Sequence, residues 1–226
     1  MKNNIFRYER KFFITSITKA EIEKLVMFHP ANFSEVFYER SINNIYFDTP
    51  MFKSYFDNID GNSDRTKVRI RWYGELYDNI KKPTLELKIK NGILGHKLHF
   101  LLKPLNTTTQ LNKLDIVQLT SNVDIPQHIL AKIKVLTPTL LNRYNRKYFL
   151  SADKRFRITI DTNQVFYKIC SINRYFLNRC RDNSSIVLEL KYDRNADKDA
   201  SYITESIPFR LTKSSKYVRG IEKLYL

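Results

Sequence analysis

Glycine is scarce in this chain, and the few glycines follow no known phosphate-binding pattern. The five glycines form neither G-x-G-x-x-G nor G-x-x-x-x-G-K-[S/T]. Both patterns bind phosphate through backbone N–H groups at the start of a helix, and glycine lets the backbone approach the phosphate closely. The sequence therefore excludes the common glycine-loop nucleotide sites. Any phosphate must be bound by side chains.

Cysteine and long apolar runs are also lacking. Cys170 and Cys180 are too few for a disulfide framework or a zinc site, which favours a reducing compartment. No window approaches 18 consecutive apolar residues, so the sequence predicts no membrane span. The N-terminal segment MKNNIFRYER lacks the apolar core of a signal peptide. These absences predict a cytoplasmic protein.

Acidic residues are few relative to basic ones. The chain has 39 lysines and arginines but 23 aspartates and glutamates, for a net charge of +16. Such an excess is larger than solubility requires, and it indicates a polyanionic partner: nucleic acid, an anionic membrane or a phosphate-rich small molecule. At 226 residues and 42% hydrophobic, the chain is expected to form one domain, residues 1–226, with a full core.

Strand-like segments with one charged face are the most informative feature. In RTKVRIRWYGE, residues 65–75, Lys67, Arg69 and Arg71 share one face, while Val68 and its apolar neighbours share the other. The same division of apolar and charged residues occurs in four more segments: 7–15, 84–90, 155–161 and 185–193.

Further elements follow from periodicity, caps and turn residues. The predicted strands are 42–48, 96–103 and 144–150; the predicted helices are 18–28, 49–59, 125–136, 197–207 and 215–224. The segment NGILG, 91–95, predicts a hairpin loop, and the polar run 106–112 a mobile connection. About eight strands with a few helices predict an α+β fold, mainly antiparallel, as a closed barrel or a strongly curved sheet.

Two interpretations of the charged faces remain open. The first is an ordinary sheet with one face in water. In the second, the apolar faces point outward beneath helices, and the charged faces line a channel where an anion neutralises the cations. Isolated carboxylates among the cations could then hold a divalent metal. These carboxylates are Glu9, Glu86, Asp161 and Glu189.

Eight segments in order resemble the VTC domain, the polyphosphate polymerase domain of the triphosphate tunnel metalloenzyme superfamily. They are RYERKF, YFDTP, KVRIRWYG, LELKIKNG, YNRKY, RITID, VLELKY and KSSKYVRG, from about residue 5 to 221. The resemblance implies a closed eight-stranded β-barrel or tunnel with a basic interior and helices packed outside. It also implies polymerisation of inorganic polyphosphate from ATP with release of ADP, and a divalent metal, Mn²⁺ first and Mg²⁺ second.

The resemblance also implies roles for individual residues. Those expected to act on the transferred phosphate are Lys11, Arg69, Arg71, Lys88 and Arg157. Those expected to bind phosphate or nucleotide are Tyr144, Arg146, Lys97, Lys213, Ser215 and Lys216. Glu189 corresponds to the metal-binding glutamate.

Two departures from the superfamily pattern refine the expectation. Triphosphatases and cyclases open with Glu-x-Glu-x-Lys, whereas Arg7 stands at the first position here, which favours the polymerase branch. The regulatory domain and membrane helices of eukaryotic relatives are not seen, so a stand-alone domain is expected, with recruitment to the inner face of a membrane by a separate protein left open. A triphosphatase, an adenylyl cyclase and a non-catalytic binder of polyphosphate or nucleic acid remain alternatives. Specific nucleic-acid binding is not expected, because Trp72 faces away from Arg69 and Arg71.

Overall fold

The computed structural model describes residues 7–91, 94–106, 116–121, 123–169 and 176–226. The strands in these ranges are β1 (Arg7–Ile14), β2 (Ser34–Asp48), β3 (Arg65–Tyr73), β4 (Asn79–Ile80), β5 (Thr84–Asn91), β6 (Leu94–Leu101), β7 (Leu105–Asn106), β8 (Thr137–Leu150), β9 (Phe156–Ile169), β10 (Phe176–Asp182) and β11 (Ile186–Asp193). The helices are α1 (Lys19–Met27), α2 (Lys53–Ile59), α3 (Ile116–Thr120), α4 (Gln127–Ile133), α5 (Ala200–Glu205) and α6 (Lys216–Leu224), with a 3₁₀ helix at Arg194–Asp199.

The chain divides into two compact units. The first comprises residues Met1–Ser41, Tyr144–Gln164 and Arg181–Ser215; the second comprises Ile42–Arg143, Val165–Cys180 and Lys216–Leu226. Strands β2, β8, β9 and β10 contribute residues to both. The strand order is β1-β11-β9-β8-β2 in the first unit and β9-β8-β2-β3-β5-β6 in the second, where β4 and β7 form a separate two-stranded sheet. The expectation of one domain over 1–226 stays a prediction.

The predicted α+β, antiparallel architecture is confirmed, but the closed barrel is not. The pairs whose register is known, such as β1 with β11 and β3 with β5, are antiparallel. In the described residues the path of paired strands ends at β1 in the first unit and at β6 in the second. Hydrogen bonds therefore close neither unit into a barrel.

The apolar strand faces lie beneath helices, as the second interpretation of the charged faces predicts. In the first unit the register places Phe12, Leu188 and Ile160 side by side, and they pack with Ile22 of α1 and Ile203 of α5 in one buried cluster. Thr18 and Glu21 form a capping box at the start of α1. The cap fixes the start of α1, and the buried residues Ile22 and Val26 of this helix pack against the strands.

The second unit repeats this arrangement. Val68 lies opposite Leu87 and Ile70 opposite Leu85, and their apolar face packs with residues of α3 and α4, including Ile129. Side chains alternate across a strand, so the cations of β3 lie on the other face of the sheet. The alternation in the sequence therefore decided which face is charged.

Several elements differ from the sequence prediction. Strand β2 begins at Ser34 rather than residue 42, β8 at Thr137 rather than 144, and β9 continues to Ile169 rather than 161. Strand β10 was not predicted. The first residues of β2 are exposed on both faces, so hydrophobic alternation gives no signal there. Parts of the loop 91–95 and of the connection 106–112, together with Cys170, lie outside the described residues.

The segment YFDTP has a structural role in the second unit. The Asp48 side chain is fully buried and accepts hydrogen bonds from backbone N–H groups of Thr49, Ser54 and Tyr55 at 2.7, 2.9 and 3.2 Å. It also accepts a 2.5 Å bond from the Tyr217 hydroxyl. Burial and the neighbouring carboxylate raise the pKa of Tyr217. Asp48 therefore satisfies the first turn of α2 and fixes the first turn of α6.

None of the helices in the described ranges is long and apolar enough to cross a membrane.

We expect Tyr217→Phe to destabilise the fold. The change leaves the ring in place but removes a hydrogen bond to a buried carboxylate, which should lower the free energy of unfolding by about 1–3 kcal/mol. Urea unfolding followed by circular dichroism measures the effect. Tyr73→Phe, at an exposed position, is the matched control and should change stability by less than about 0.5 kcal/mol. Equal unfolding midpoints for wild type and Tyr217→Phe would contradict this role.

Candidate functional site

In the first unit, charged side chains of three strands share one face. Lys11 of β1 lies opposite Glu189 of β11. Two residues away on each of these strands, Glu9 lies opposite Lys191. Lys191 in turn lies opposite Arg157 of β9. Antiparallel partners point to the same side of a sheet, so the register brings these side chains together from distant parts of the sequence.

Glu189 lies at the centre of this face and contacts three cations. Its side chain is buried, with Oε1 3.6 Å from Lys11 Nζ. Its Oε2 atom lies 3.0 Å from Lys191 Nζ and 3.6 Å from Arg146 Nη2. Lys11 Nζ also lies 3.0 Å from a second carboxylate, that of Glu9. One buried carboxylate thus faces several basic groups, an arrangement that can accept further negative charge.

Arg146 is held in a fixed orientation by Asp161. Arg146 Nε and Nη2 donate to the two carboxylate oxygens of Asp161 at 2.5 and 2.6 Å. Burial would lower the pKa of Arg146, but Asp161 and the adjacent Tyr144 outweigh it and raise the pKa. Tyr144 is almost fully buried, with its ring centroid 5.3 Å from the guanidinium carbon. The pair leaves one edge of the guanidinium directed toward Glu189.

The charged form of Lys191 is disfavoured, chiefly by burial. Burial and the nearby Arg146 guanidinium lower the pKa of Lys191 to about 8, despite the opposing effect of Glu9. The charged form of a lysine with a lowered pKa is stabilised when an anion binds next to it. An anion bound beside Lys191 would therefore move its pKa back toward the ordinary value.

The KSSK segment adjoins the same face. Lys11 Nζ donates to the Ser214 carbonyl at 3.2 Å, and the backbone of Thr212 donates to the Lys11 carbonyl at 2.8 Å. The Ser214 hydroxyl oxygen is buried with no hydrogen-bond partner in the described residues. Lys213 is exposed and Ser215 half-buried. The sequence pointed to Lys213 and Ser215 but not to Ser214, which makes the contact with Lys11.

Arg157 lies at an exposed position. It borders a recess of about 80 Å³ that is also lined by Lys154, Arg155 and Lys191. It lies opposite Lys191, which is two residues from Glu189 on β11. The recess continues the basic character of the face toward solvent.

The second unit contains a similar cluster around Glu86. Arg69 Nε and Nη2 lie 2.7 and 2.5 Å from Glu86 Oε2, and Arg71 Nη1 lies 3.7 Å from Oε1. His99 Nδ1 is also 3.7 Å from Oε1. Burial alone would raise the pKa of Glu86, but the two guanidinium groups lower it to about 2. Glu86 was predicted as a carboxylate among cations, and its role here is to orient Arg69 and Arg71.

Asn44 is a buried donor that sequence reasoning missed. Its side chain is fully buried, and its Oδ1 accepts a 2.8 Å hydrogen bond from Arg71 Nε. Because Arg71 can only donate, this bond fixes which end of the amide is oxygen. The Nδ2 atom has no partner in the described residues. A buried amide donor beside two arginines suits an anionic oxygen. Asn44 and Tyr46 are two residues apart in β2 and therefore lie on one face, the face that carries Arg69 and Arg71 in β3. This spacing is the only sign of the contact in the sequence.

Three lysines form a row across β3, β5 and β6. Lys67 lies opposite Lys88, and Lys88 opposite Lys97. Lys88 and Lys97 are exposed, and Lys67 donates to the Asn58 side chain at 2.5 Å. Like charges directly opposite one another on a sheet are destabilising. Because Lys88 and Lys97 are exposed, the row continues the basic face of Arg69 and Arg71 to the protein surface.

Comparison with known proteins decides the family. The model of the VTC domain matches residues 6–225. The chain belongs to the VTC domain family. The resemblance to the VTC domain inferred from eight sequence segments is confirmed.

Solved structures agree with this fold. The PH1819 protein from Pyrococcus horikoshii OT3 matches with a TM-score of 0.53 and 13% identity, over 96% of this chain and 99% of that chain. A Bacillus halodurans protein, provisionally named an adenylate cyclase, matches with a TM-score of 0.50 and 13% identity, over 98% of each chain. At this identity the likeness concerns the fold alone. No curated protein sequence matches the chain.

The predicted site residues of this VTC domain fall into two groups. The first unit brings Lys11, Tyr144, Arg146 and Glu189 close together, with Arg157 and Lys213 exposed and Ser215 half-buried. The second unit joins Arg69 and Arg71 through Glu86, with Lys88 and Lys97 in the exposed row. Lys216 is the first residue of α6, next to the Tyr217 anchor. Convergence of both groups on one channel stays a prediction.

Glu189 is the metal ligand that the family resemblance predicts. In the part of the chain that the structure describes, no three His, Cys, Asp or Glu side chains converge on a metal position. Both oxygens of Glu189 already face cations. Magnesium is often held by one or two carboxylates together with substrate phosphates and water. A single carboxylate is compatible with a site of that kind, and the role of Glu189 as a metal ligand stays a prediction.

Glu86 should make stability depend on pH. Its folded-state pKa is about 2 and its ordinary value is 4.5. The ionised carboxylate therefore stabilises the fold fully above pH 4.5, and this contribution is lost as pH falls from 4.5 to 2. Over this window the free energy of unfolding should fall by on the order of 3 kcal/mol more for wild type than for Glu86→Gln.

Urea unfolding between pH 2 and 7 measures the difference between the two curves. Glu75→Gln, at an exposed carboxylate, is the control and should follow wild type. Parallel curves for wild type and Glu86→Gln would show that Arg69 and Arg71 do not depend on Glu86.

Proposed function

We propose that this VTC domain is an ATP-dependent polyphosphate polymerase, a phosphotransferase that moves the γ-phosphoryl group of ATP to a growing polyphosphate chain and releases ADP. The observation that carries the proposal is the contact of buried Glu189 with three cations, Lys11, Lys191 and Arg146. Counting Arg157, Glu9 and Asp161 as well, this face holds four cations and three carboxylates, a small excess of positive charge where a phosphate chain could lie.

Binding of a triphosphate follows from this imbalance. Phosphate oxygens accept charge-assisted hydrogen bonds from lysine and arginine, which are about twice as strong as neutral ones. Arg146 is already oriented by Asp161, so little conformational freedom is lost when a phosphate binds to its remaining edge. Lys11 and Lys191 can turn from Glu189 to the phosphate.

The chemistry needs no general base. The attacking group is the terminal phosphate of the polymer, which is already an anion. A bond forms between its oxygen and the γ-phosphorus, while the bond from the γ-phosphorus to the β–γ bridging oxygen breaks, and ADP leaves with that electron pair. The basic side chains position both reactants and neutralise charge on the transferred group.

A divalent metal, Mn²⁺ or Mg²⁺, belongs to the proposal. Glu189 would hold it together with phosphate oxygens, and the metal would supply additional neutralisation of phosphate charge when bound. The proposal also includes the closed eight-stranded β-tunnel with a basic interior that the family resemblance implies. ATP and inorganic polyphosphate are the partners, in the cytoplasm, with a separate membrane protein as an optional anchor.

Incubation of the full chain with ATP and Mn²⁺, followed by resolution of the products, tests the function. We expect ADP and a ladder of polyphosphate chains. Orthophosphate as the main product would reassign the protein as a triphosphatase. Cyclic AMP would indicate a cyclase. Unchanged ATP together with tight tripolyphosphate binding would leave a non-catalytic binding module.

Glu189→Gln should separate binding from turnover. The change keeps the side-chain shape but removes one negative charge from among three cations, so the affinity for tripolyphosphate should hold or increase. Turnover should fall at least about a hundredfold, because the neutral amide is a poor metal ligand. Calorimetry and ADP release measure the two effects. Glu205→Gln, an exposed carboxylate on α5, is the control. Normal turnover by Glu189→Gln would remove Glu189 from the mechanism.

A further inference from the structure

A stack of aromatic rings and guanidinium groups leads away from Arg146 within the first unit. The Arg146 guanidinium carbon lies 6.0 Å from the centroid of the Tyr148 ring. The Arg40 guanidinium lies 5.8 Å from the same ring and 4.4 Å from the ring of Phe37. Phe37 and Tyr148 also meet edge to face, with centroids 5.8 Å apart. We name Phe37, Arg40 and Tyr148 the Phe37 stack.

The Phe37 stack lies between the buried Arg146 and the protein surface. Arg146 is 7% exposed, whereas the Phe37 side chain is 49% exposed and Arg40 lies at the surface. No described carboxylate contacts Arg40, and its contacts are with the two rings. A guanidinium that lies on a ring in this way keeps its in-plane N–H donors available.

Surface packing alone accounts poorly for this arrangement. A cation–π contact at an exposed site contributes only about 0.5–1 kcal/mol. An exposed phenylalanine on a strand loses hydrophobic stabilisation that a buried one would gain. Most charged side chains around it, such as Lys147 with Glu23 and Glu35, form ion pairs, whereas Arg40 does not. The stack is therefore better explained by an aromatic ligand.

We propose that the Phe37 stack binds the nucleobase of the donor nucleoside triphosphate. Bases stack on aromatic rings and on arginine planes, and Phe37 and Arg40 present both at the surface. The phosphates would extend past Tyr148, which contacts both Phe37 and Arg146, toward Arg146. There the cations around Glu189 would bind them. This inference rests on the proposed function, because it requires a triphosphate at the Glu189 cluster.

The stack also predicts a base preference. A purine has a larger π-surface than a pyrimidine, so ATP and GTP should bind more tightly than CTP and UTP. Tripolyphosphate has no base and should not depend on the Phe37 stack at all. The contrast between ATP and tripolyphosphate therefore isolates the base from the phosphates.

Calorimetric titration of the full chain with ATP and with tripolyphosphate tests the inference. Phe37→Ala should weaken ATP binding by about 5- to 150-fold, the range expected for loss of one base-stacking contact, and leave tripolyphosphate binding unchanged. Phe37→Trp should restore ATP binding. Phe28→Ala removes another exposed phenylalanine, at the end of α1, and should bind both ligands like wild type.

The remaining outcomes separate this inference from the proposed function. Unchanged ATP binding in Phe37→Ala, or an equal loss for ATP and tripolyphosphate, would overturn the base site while leaving the phosphate cluster intact. Wild type that binds neither ligand would overturn the proposed function, and the base site with it. Thermal unfolding of each variant confirms that the half-exposed position 37 tolerates the change.

Discussion

The contact of one buried carboxylate with several cations is the constraint on which the rest of this molecule depends. Glu189 lies within 3.6 Å of Lys11, Lys191 and Arg146, and these four side chains come from three different strands. Burial of charge is costly unless it is paired and hydrogen-bonded. The cluster therefore needs a scaffold that holds it together before any anion binds, and the helices over the apolar strand faces provide that scaffold.

Both units use a carboxylate to orient arginine. Asp161 holds Arg146 through two hydrogen bonds, and Glu86 holds Arg69 while remaining near Arg71. A guanidinium oriented in advance loses less freedom when a phosphate binds to its free edge. The scarcity of glycine agrees with this solution, because a site built from strand side chains needs no close approach of the backbone.

Much of the fold and part of the site could be predicted from the sequence. Alternation in β3 identified Arg69 and Arg71 as a charged face, and Glu189 and Lys11 were found by motif. The first half of β2 was missed because its residues are exposed on both faces. Asn44, and Phe37 in the proposed base site, were missed because their contacts are with residues of other strands. The residue type alone, an asparagine or an exposed phenylalanine, predicts no function until its neighbours in the fold are known.

The sequence by itself determined the excess of positive charge, the side of each strand on which it lies, and the lack of a glycine-based phosphate loop. These properties follow from composition and from the two-residue period of a strand. Only the tertiary structure decided which charges meet. The register places Lys11 beside Glu189, and Asp161 pairs with Arg146, because strands distant in sequence become neighbours in the sheet. No local pattern encodes that pairing, since it arises from the packing of the whole apolar face against its helices.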